Sequence, residues 1–191
     1  MYLLLLLLSL YLIKYHTLDI EKNITFDNNS SVNIINFSFY KNIQNILLEK
    51  NGEYYFYKNG NCEFALPSPE IFDEEDFAHL PILHHTAPES LLLIEGIRYL
   101  PSITKYDLRK IDFIEQDLNM IQILSNNINK LNSIFEDKRI NVYSEDARLF
   151  LQNNDEKYDV ILIGLDIPLN TTINKTFKTI VVIPVVKLPN E

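Results

Sequence analysis

The spacing of apolar residues changes repeatedly along the chain, and each change predicts a different kind of element. Met1 to Ile13 is an almost unbroken apolar run, mostly leucine, closed by Lys14. It is shorter than the roughly 20 residues that span a bilayer, and it lacks the basic start and small-residue cleavage site of a secretory signal. The run reads as the cut-down end of a longer membrane segment, with an interfacial anchor or a helix buried on the domain as alternatives. Asn23 to Asn36 is rich in Asn and Ser with β-branched residues between them, and reads as a linker running into a strand, with order beginning near Val32.

From Ile43 the pattern becomes that of strands and tight turns. Ile43 to Glu49, Glu53 to Tyr57 and Cys62 to Leu66 are β-rich, and Asn51-Gly52 and Asn59-Gly60 separate them. Both central residues of a type I′ turn need positive φ, which Asn-Gly tolerates, so the stretch predicts a three-stranded antiparallel meander. Pro67 and Pro69 end it. Asp73-Glu74-Glu75-Asp76 then supplies an N-cap and first-turn carboxylates for a helix running toward His85, which Pro81 should kink or restart.

After Pro88, apolar runs of strand length alternate with helical stretches. Leu91 to Ile94, Ile111 to Glu115, Ile140 to Tyr143 and Val160 to Ile163 read as strands. Leu118, Ile121, Leu124, Ile128 and Leu131 recur at helical spacing behind Asp117, and a short helix is expected near Ala147 to Gln152. Such alternation predicts right-handed βαβ units and a parallel sheet, hence an α/β fold behind a small antiparallel β domain. The expected division is an apolar segment and linker over 1–22, a β-meander domain over 23–70, and a partial nucleotide-binding domain over 71–191.

Composition narrows the chemistry. A formal net charge of -9 with few Lys/Arg clusters argues against a protein that neutralises nucleic-acid phosphates. The single cysteine, Cys62, cannot form an internal disulfide, which suits a reducing, cytoplasmic compartment, with membrane association through residues 1–13 as a further expectation. His79, His84 and His85 are not spaced as ligands on one helical face, so no metal site is expected.

In doubly wound sheets a nucleotide lies across the carboxyl ends of the strands, with a Gly-rich turn after the first and an acidic residue ending the second. Leu91-Leu92-Leu93-Ile94-Glu95-Gly96 offers one glycine, whereas Ile111-Asp112-Phe113-Ile114-Glu115 ends on a carboxylate about 20 residues later, as a ribose-binding acid would. A carboxylate there can accept from both ribose hydroxyls.

Read in order, several stretches resemble the spermidine synthases and their bacterial relatives that carry membrane segments ahead of the enzyme domain. Asn51 to Gly60 is similar to the family's hairpin and Phe77-Ala78-His79-Leu80-Pro81-Ile82-Leu83 to the helix after it. Leu91 to Ile94 and Ile111 to Glu115 resemble the first two strands, Asp146-Ala147-Arg148-Leu149-Phe150-Leu151 the acidic motif after the third, and Tyr158 to Ile163 the fourth. The resemblance implies a Rossmann-like, methyltransferase-type sheet behind the β domain. It also implies aminopropyl transfer from decarboxylated S-adenosylmethionine to a polyamine nitrogen, with methylthioadenosine released and no prosthetic group. Glu115 would hold the ribose, Asp146 with the Ala147 backbone the adenine, and Gly96 the turn beneath the nucleotide. Asp146 also reads as a plain helix N-cap, and Glu115 as a solvated carboxylate.

The departures from that pattern concern catalysis. Glu95-Gly96-Ile97-Arg98-Tyr99-Leu100 is short and bulky where active members have several glycines and an acidic residue. Aligning Pro168 with the family's proline puts Gly164 and Ile167 at the two aspartate positions, leaving Asp166 as the substitute catalytic residue. Glu74 stands for a substrate-contacting histidine, and Lys41 for a glutamine or glycine. The sheet's second half is expected to be missing, and the resulting bare edge and apolar face predict a homodimer or a partner. The expectation is an impaired or inactive aminopropyltransferase-like protein, with a non-catalytic interaction module or a methyltransferase-like protein as alternatives.

Overall fold

The computed structural model describes residues 32–40, 42–68 and 71–164, with backbone alone over 71–74. The apolar run over 1–13, Lys41, the side chain of Glu74, and Asp166, Ile167 and Pro168 lie outside what is described. The chain divides into two compact units between Glu63 and Phe64.

The first sheet has four strands in the order β1 (Asn33–Tyr40), β2 (Ile43–Lys50), β3 (Glu53–Lys58), β4 (Asn61–Leu66), so β4 runs across the division. The two Asn-Gly steps turn as expected: φ is 54° and 83° at Asn51 and Gly52, and 50° and 79° at Asn59 and Gly60. The expected three-stranded meander gains a fourth strand, because the strand expected to begin near Val32 pairs with β2 from Asn33 onward. Asn42 (φ 65°) turns the chain so that Tyr40 opposes Ile43, and Asn33 opposes Glu49. Asn33 fixes that end by donating from Nδ2 to Glu49 at 2.9 Å. Asn45 to Leu48 are buried in succession, so both faces of β2 are covered.

In the second unit, α1 (Ile71–His84) leads into a parallel sheet of β5 (Ser90–Ile94), β6 (Lys110–Ile114), β7 (Ile140–Tyr143) and β8 (Val160–Ile163), in the spatial order β7-β6-β5-β8. Leu91 to Ile94, Ile111, Phe113, Ile114, Val160 and Leu162 are buried, the continuous apolar runs of strands covered on both faces. The helices are α2 (Leu100–Ile103), which follows a 3-10 turn at Ile97–Tyr99, then α3 (Leu118–Asn127), α4 (Asn129–Phe135) and α5 (Ala147–Asn153). Phe135 of α4 lies against Phe113 on one face, with ring centroids 6.4 Å apart, and Phe150 of α5 against Tyr143 on the other, at 4.8 Å. Helices on opposite faces make the sheet doubly wound. The chain runs outward from β5 through β6 to β7, then returns to place β8 on the other side of β5, so the direction of winding reverses between β5 and β8.

One helix expectation needs correction. The helix expected from Leu118 through Leu131 is two helices, broken at Ile128, whose backbone is extended (φ -119°, ψ 102°). Apolar periodicity continues across the break, but Asn127 turns its amide back to the Ile123 carbonyl at 2.7 Å, the backbone competition that disfavours Asn inside helices. Leu118, expected on the buried face, is 47% exposed at the N-terminal end. α1 is one 14-residue helix with Pro81 inside it, so of the two outcomes expected at Pro81 the helix does not restart there.

Candidate functional site

Where the winding reverses, two strand ends part and leave a crevice, which is where doubly wound sheets take ligands. Here that position lies between the residues after β5 and after β8. Glu95 and Gly96 both have positive φ (57° and 77°). The chain therefore turns sharply off the sheet at a residue, Glu95, for which that conformation is costly. Gly164 N–H donates to the Ile94 carbonyl at 2.8 Å, which holds the end of β8 against the end of β5.

Neither glycine has room for a side chain. A Cβ on Gly96 would stand 2.7 Å from Tyr99 Cδ2 and 3.0 Å from Gly164 Cα. One on Gly164 would stand 2.9 Å from Gly96 Cα, 3.0 Å from the Glu95 carbonyl oxygen and 3.0 Å from Tyr99 Cε2. The 3-10 turn, closed by Tyr99 N–H to the Gly96 carbonyl at 2.9 Å, thus folds the Tyr99 ring back onto both strand ends. The ring is 1% exposed and stacks on Phe77 of α1 at 4.0 Å between centroids. The Arg98 guanidinium lies 4.9 Å from its centroid and donates to its hydroxyl at 2.8 Å.

The other candidates follow neighbouring strands. Glu115 comes directly after β6 and is 6% exposed. One of its carboxylate oxygens accepts from the Asp117 N–H at 2.9 Å, so the group braces the turn into α3 as well as standing at the strand end. Asp146 comes after β7 as the N-cap of α5, accepting from the Arg148 N–H at 2.8 Å. The Arg148 guanidinium, whose Nη2 is 3.1 Å from Asp146 Oδ2, and then its N–H hold the carboxyl below the ordinary carboxylate range. Ala147 opens α5 and packs against the cluster of Leu92, Ile94, Ile114, Phe150 and Tyr158. The fold therefore brings Gly96, Glu115, Asp146 and Ala147 to the carboxyl side of three adjacent strands. Sequence reasoning notes the bulk of Glu95 to Leu100 but misses Tyr99, because its partner Gly164 is distant in the chain.

A second polar group lies in the amino-terminal half of the sheet. Asp112 is fully buried and accepts from Tyr158 Oη at 2.6 Å and from Asn141 Nδ2 at 2.9 Å, with Lys110 Nζ at 3.0 Å. Lys110 also pairs with Glu156, and Asn154 Nδ2 donates to the Tyr158 hydroxyl at 3.1 Å. Burial, then the bond to Asp112, pushes the Tyr158 phenol well above its usual value. Beside it, Asp159 receives the N–H groups of Glu89 and Ser90 and the Ser90 hydroxyl, each at 2.9 Å. A cavity of about 370 Å³ opens at this same end, between Ala87–Glu89 and Tyr106–Leu108. This network ties strands together at the end opposite the crevice.

A family model described as the spermine/spermidine synthase domain matches residues 70–181, more than half of the chain. Among curated proteins, the chain is 30% identical over 128 residues to polyamine aminopropyltransferase 2 of Aquifex aeolicus, covering 64% of this chain and 26% of that protein. It is 27% identical over 112 residues to the polyamine aminopropyltransferase of Streptococcus uberis, covering 54% and 37%. Among solved structures, the spermidine synthase from Thermotoga maritima superimposes with a TM-score of 0.62 at 21% identity, over 68% of this chain and 47% of that one. A spermidine synthase in complex with the transition state analogue AdoDATO gives 0.64 at 21% identity, over 71% and 47%. The chain spans less than half the length of each of these relatives, and the two structures bear out the expected α/β fold.

Proposed function

The chain belongs to the spermine/spermidine synthase family, and from that premise we propose that it is a spermidine synthase-like protein in which aminopropyl transfer from decarboxylated S-adenosylmethionine to a polyamine is impaired. In that reaction the amine lone pair attacks the carbon beside the sulfonium. The carbon–sulfur bond breaks with its electrons going to sulfur, methylthioadenosine leaves, and the amine proton passes to a base. An amine protonated near neutral pH has no lone pair, so a carboxylate must orient it and take its proton.

The observation that carries the reading is the end of β8. Gly164 offers no carboxylate, and its Cα sits against Gly96 and Tyr99 with no space to project one. Nucleoside contacts are better supplied: Glu115 stands at the end of β6 for a ribose, and Asp146 with Ala147 after β7 for an adenine. Asp166 is the remaining proposed proton acceptor. The ligands of this reading are a small-molecule nucleoside and a polyamine, the nucleoside being a co-substrate.

The test is methylthioadenosine release from decarboxylated S-adenosylmethionine and putrescine, beside an active family member. The expected rate is at least about a hundredfold lower, the lower end of what a positioned general base contributes. Turnover matching the active relative would overturn the reading. If residual transfer disappears in Asp166→Asn, the remaining proton acceptor is identified.

A further inference from the structure

We propose that Tyr99 occludes the crevice: its ring fills the ligand position between the ends of β5 and β8 and must be displaced before a nucleoside can enter. The inference deepens the proposed function and rests on it for the ligand class, a thioether nucleoside. The geometry is independent of that reading. Ligands of doubly wound sheets approach the backbone at the reversal of winding, which is why small residues lie there. Gly96 and Gly164 are such residues, but the space above them already holds carbon: Tyr99 Cδ2 lies 2.7 Å from where a Gly96 Cβ would be, and Tyr99 Cε2 lies 3.0 Å from where a Gly164 Cβ would be.

The ring is also anchored. It is 1% exposed, stacked on Phe77 at 4.0 Å, and bonded through its hydroxyl to Arg98 at 2.8 Å. Moving it forfeits the stacking and exposes Phe77. A ligand that binds only the displaced conformation has its affinity reduced by the fraction of molecules in that conformation. The pair of glycines, a feature that ordinarily admits a ligand, here admits the protein's own side chain.

The experiment is calorimetric titration of the full chain with methylthioadenosine, in the wild type, Tyr99→Phe, Tyr99→Leu and Tyr99→Ala, each first shown to melt cooperatively. Tyr99→Leu keeps apolar volume beneath Phe77 and serves where Tyr99→Ala does not fold. The variants without a ring should bind at least about tenfold more tightly than wild type, as relief of a minor-state penalty requires. Tyr99→Phe, which keeps the ring and loses the hydroxyl with its Arg98 bond, should stay close to wild type. Equal affinity in wild type and Tyr99→Leu would overturn the proposal, and so would a cooperatively melting Tyr99→Leu that shows no saturable binding. Wild-type binding as tight as that of Tyr99→Leu, without transfer, would sink this inference and spare the proposed function. Tight binding and full transfer by Tyr99→Leu would do the reverse.

Discussion

The two ends of the parallel sheet are held together in opposite ways. In the amino-terminal half, Asp112 and Asp159 gather donors from β5, β6, β7 and the approach to β8, so the strands are tied by side-chain charge. At the carboxyl end of β5 and β8 the tie depends on missing side chains: Gly96 and Gly164 let two backbones and a tyrosine ring meet at van der Waals distance. Family membership describes both ends equally, yet only the second end is where a ligand would go. The sheet is therefore tied by polar side chains at its amino-terminal half and closely packed at the carboxyl ends of β5 and β8.

The contrast can be broken most sharply at Asp112. Asp112→Ala leaves the Tyr158 hydroxyl, Asn141 and the Lys110 ammonium without their shared acceptor. Removing one partner of a buried charged pair costs about 3–5 kcal/mol, trimmed toward the lower figure because Lys110 can turn to water. Denaturant unfolding should show the loss, with Asp112→Asn, which keeps an acceptor oxygen, losing less. A loss below about 1 kcal/mol would mean that hydrophobic burial alone holds this half.

At the other end the corresponding change is one carbon. Gly164→Ala should cost about 1–3 kcal/mol by overpacking, since the new Cβ meets Gly96 Cα and the Glu95 carbonyl as well as Tyr99. Because the ring is one of three obstacles, Tyr99→Leu should rescue part of the loss, with a coupling of about 0.5–1 kcal/mol in a double-mutant cycle. Strict additivity would show that ring and glycine do not press on each other.

These ends also differ in how legible they are from sequence. Parallel strands covered on both faces write themselves as apolar runs, so β5, β6 and β8 are readable to within a residue, and Asn-Gly fixes both hairpins because few other pairs accept two positive φ values. The break at Ile128 is not readable, since the apolar period runs through it. The onset of β1 near Val32 is readable, but its pairing with β2, which makes the meander four-stranded, is not. Glu115, as an acid ending a strand, can be seen from spacing. The Tyr99 contact cannot, because it joins residues on two strands that become neighbours only after the chain has wound outward and returned.

Acid should distinguish the ends next. Burial pushes the Asp159 carboxyl up, but the Glu89 N–H, the Ser90 hydroxyl and N–H, and the charge of His85 outweigh it and hold the group below its usual 3.8. A carboxyl depressed in the folded state contributes stability that is fully present above the unfolded value, near 3.9, and is lost as pH falls through the folded one. Asp159→Asn should thus be less stable than wild type at neutral pH, with the difference shrinking below about pH 4. A gap that stays constant with pH would remove Asp159 from the acid-sensitive groups. Gly164→Ala, which alters no charge, should show a constant gap over the same range.

The smallest expected effect bears on whether the crevice stores strain. Glu95 holds φ at 57°, a conformation that costs an ordinary residue about 1 kcal/mol and glycine almost nothing. Glu95→Gly should therefore stabilise the chain by up to about 1 kcal/mol, less whatever the carboxylate's own contacts contribute and less the added freedom of the unfolded chain. A rise in melting temperature would mean that the turn is set by the packing of Tyr99 on the two glycines, with Glu95 forced to follow. A fall would mean that the Glu95 side chain itself holds the turn, and the carboxyl end would then share the logic of the amino end after all.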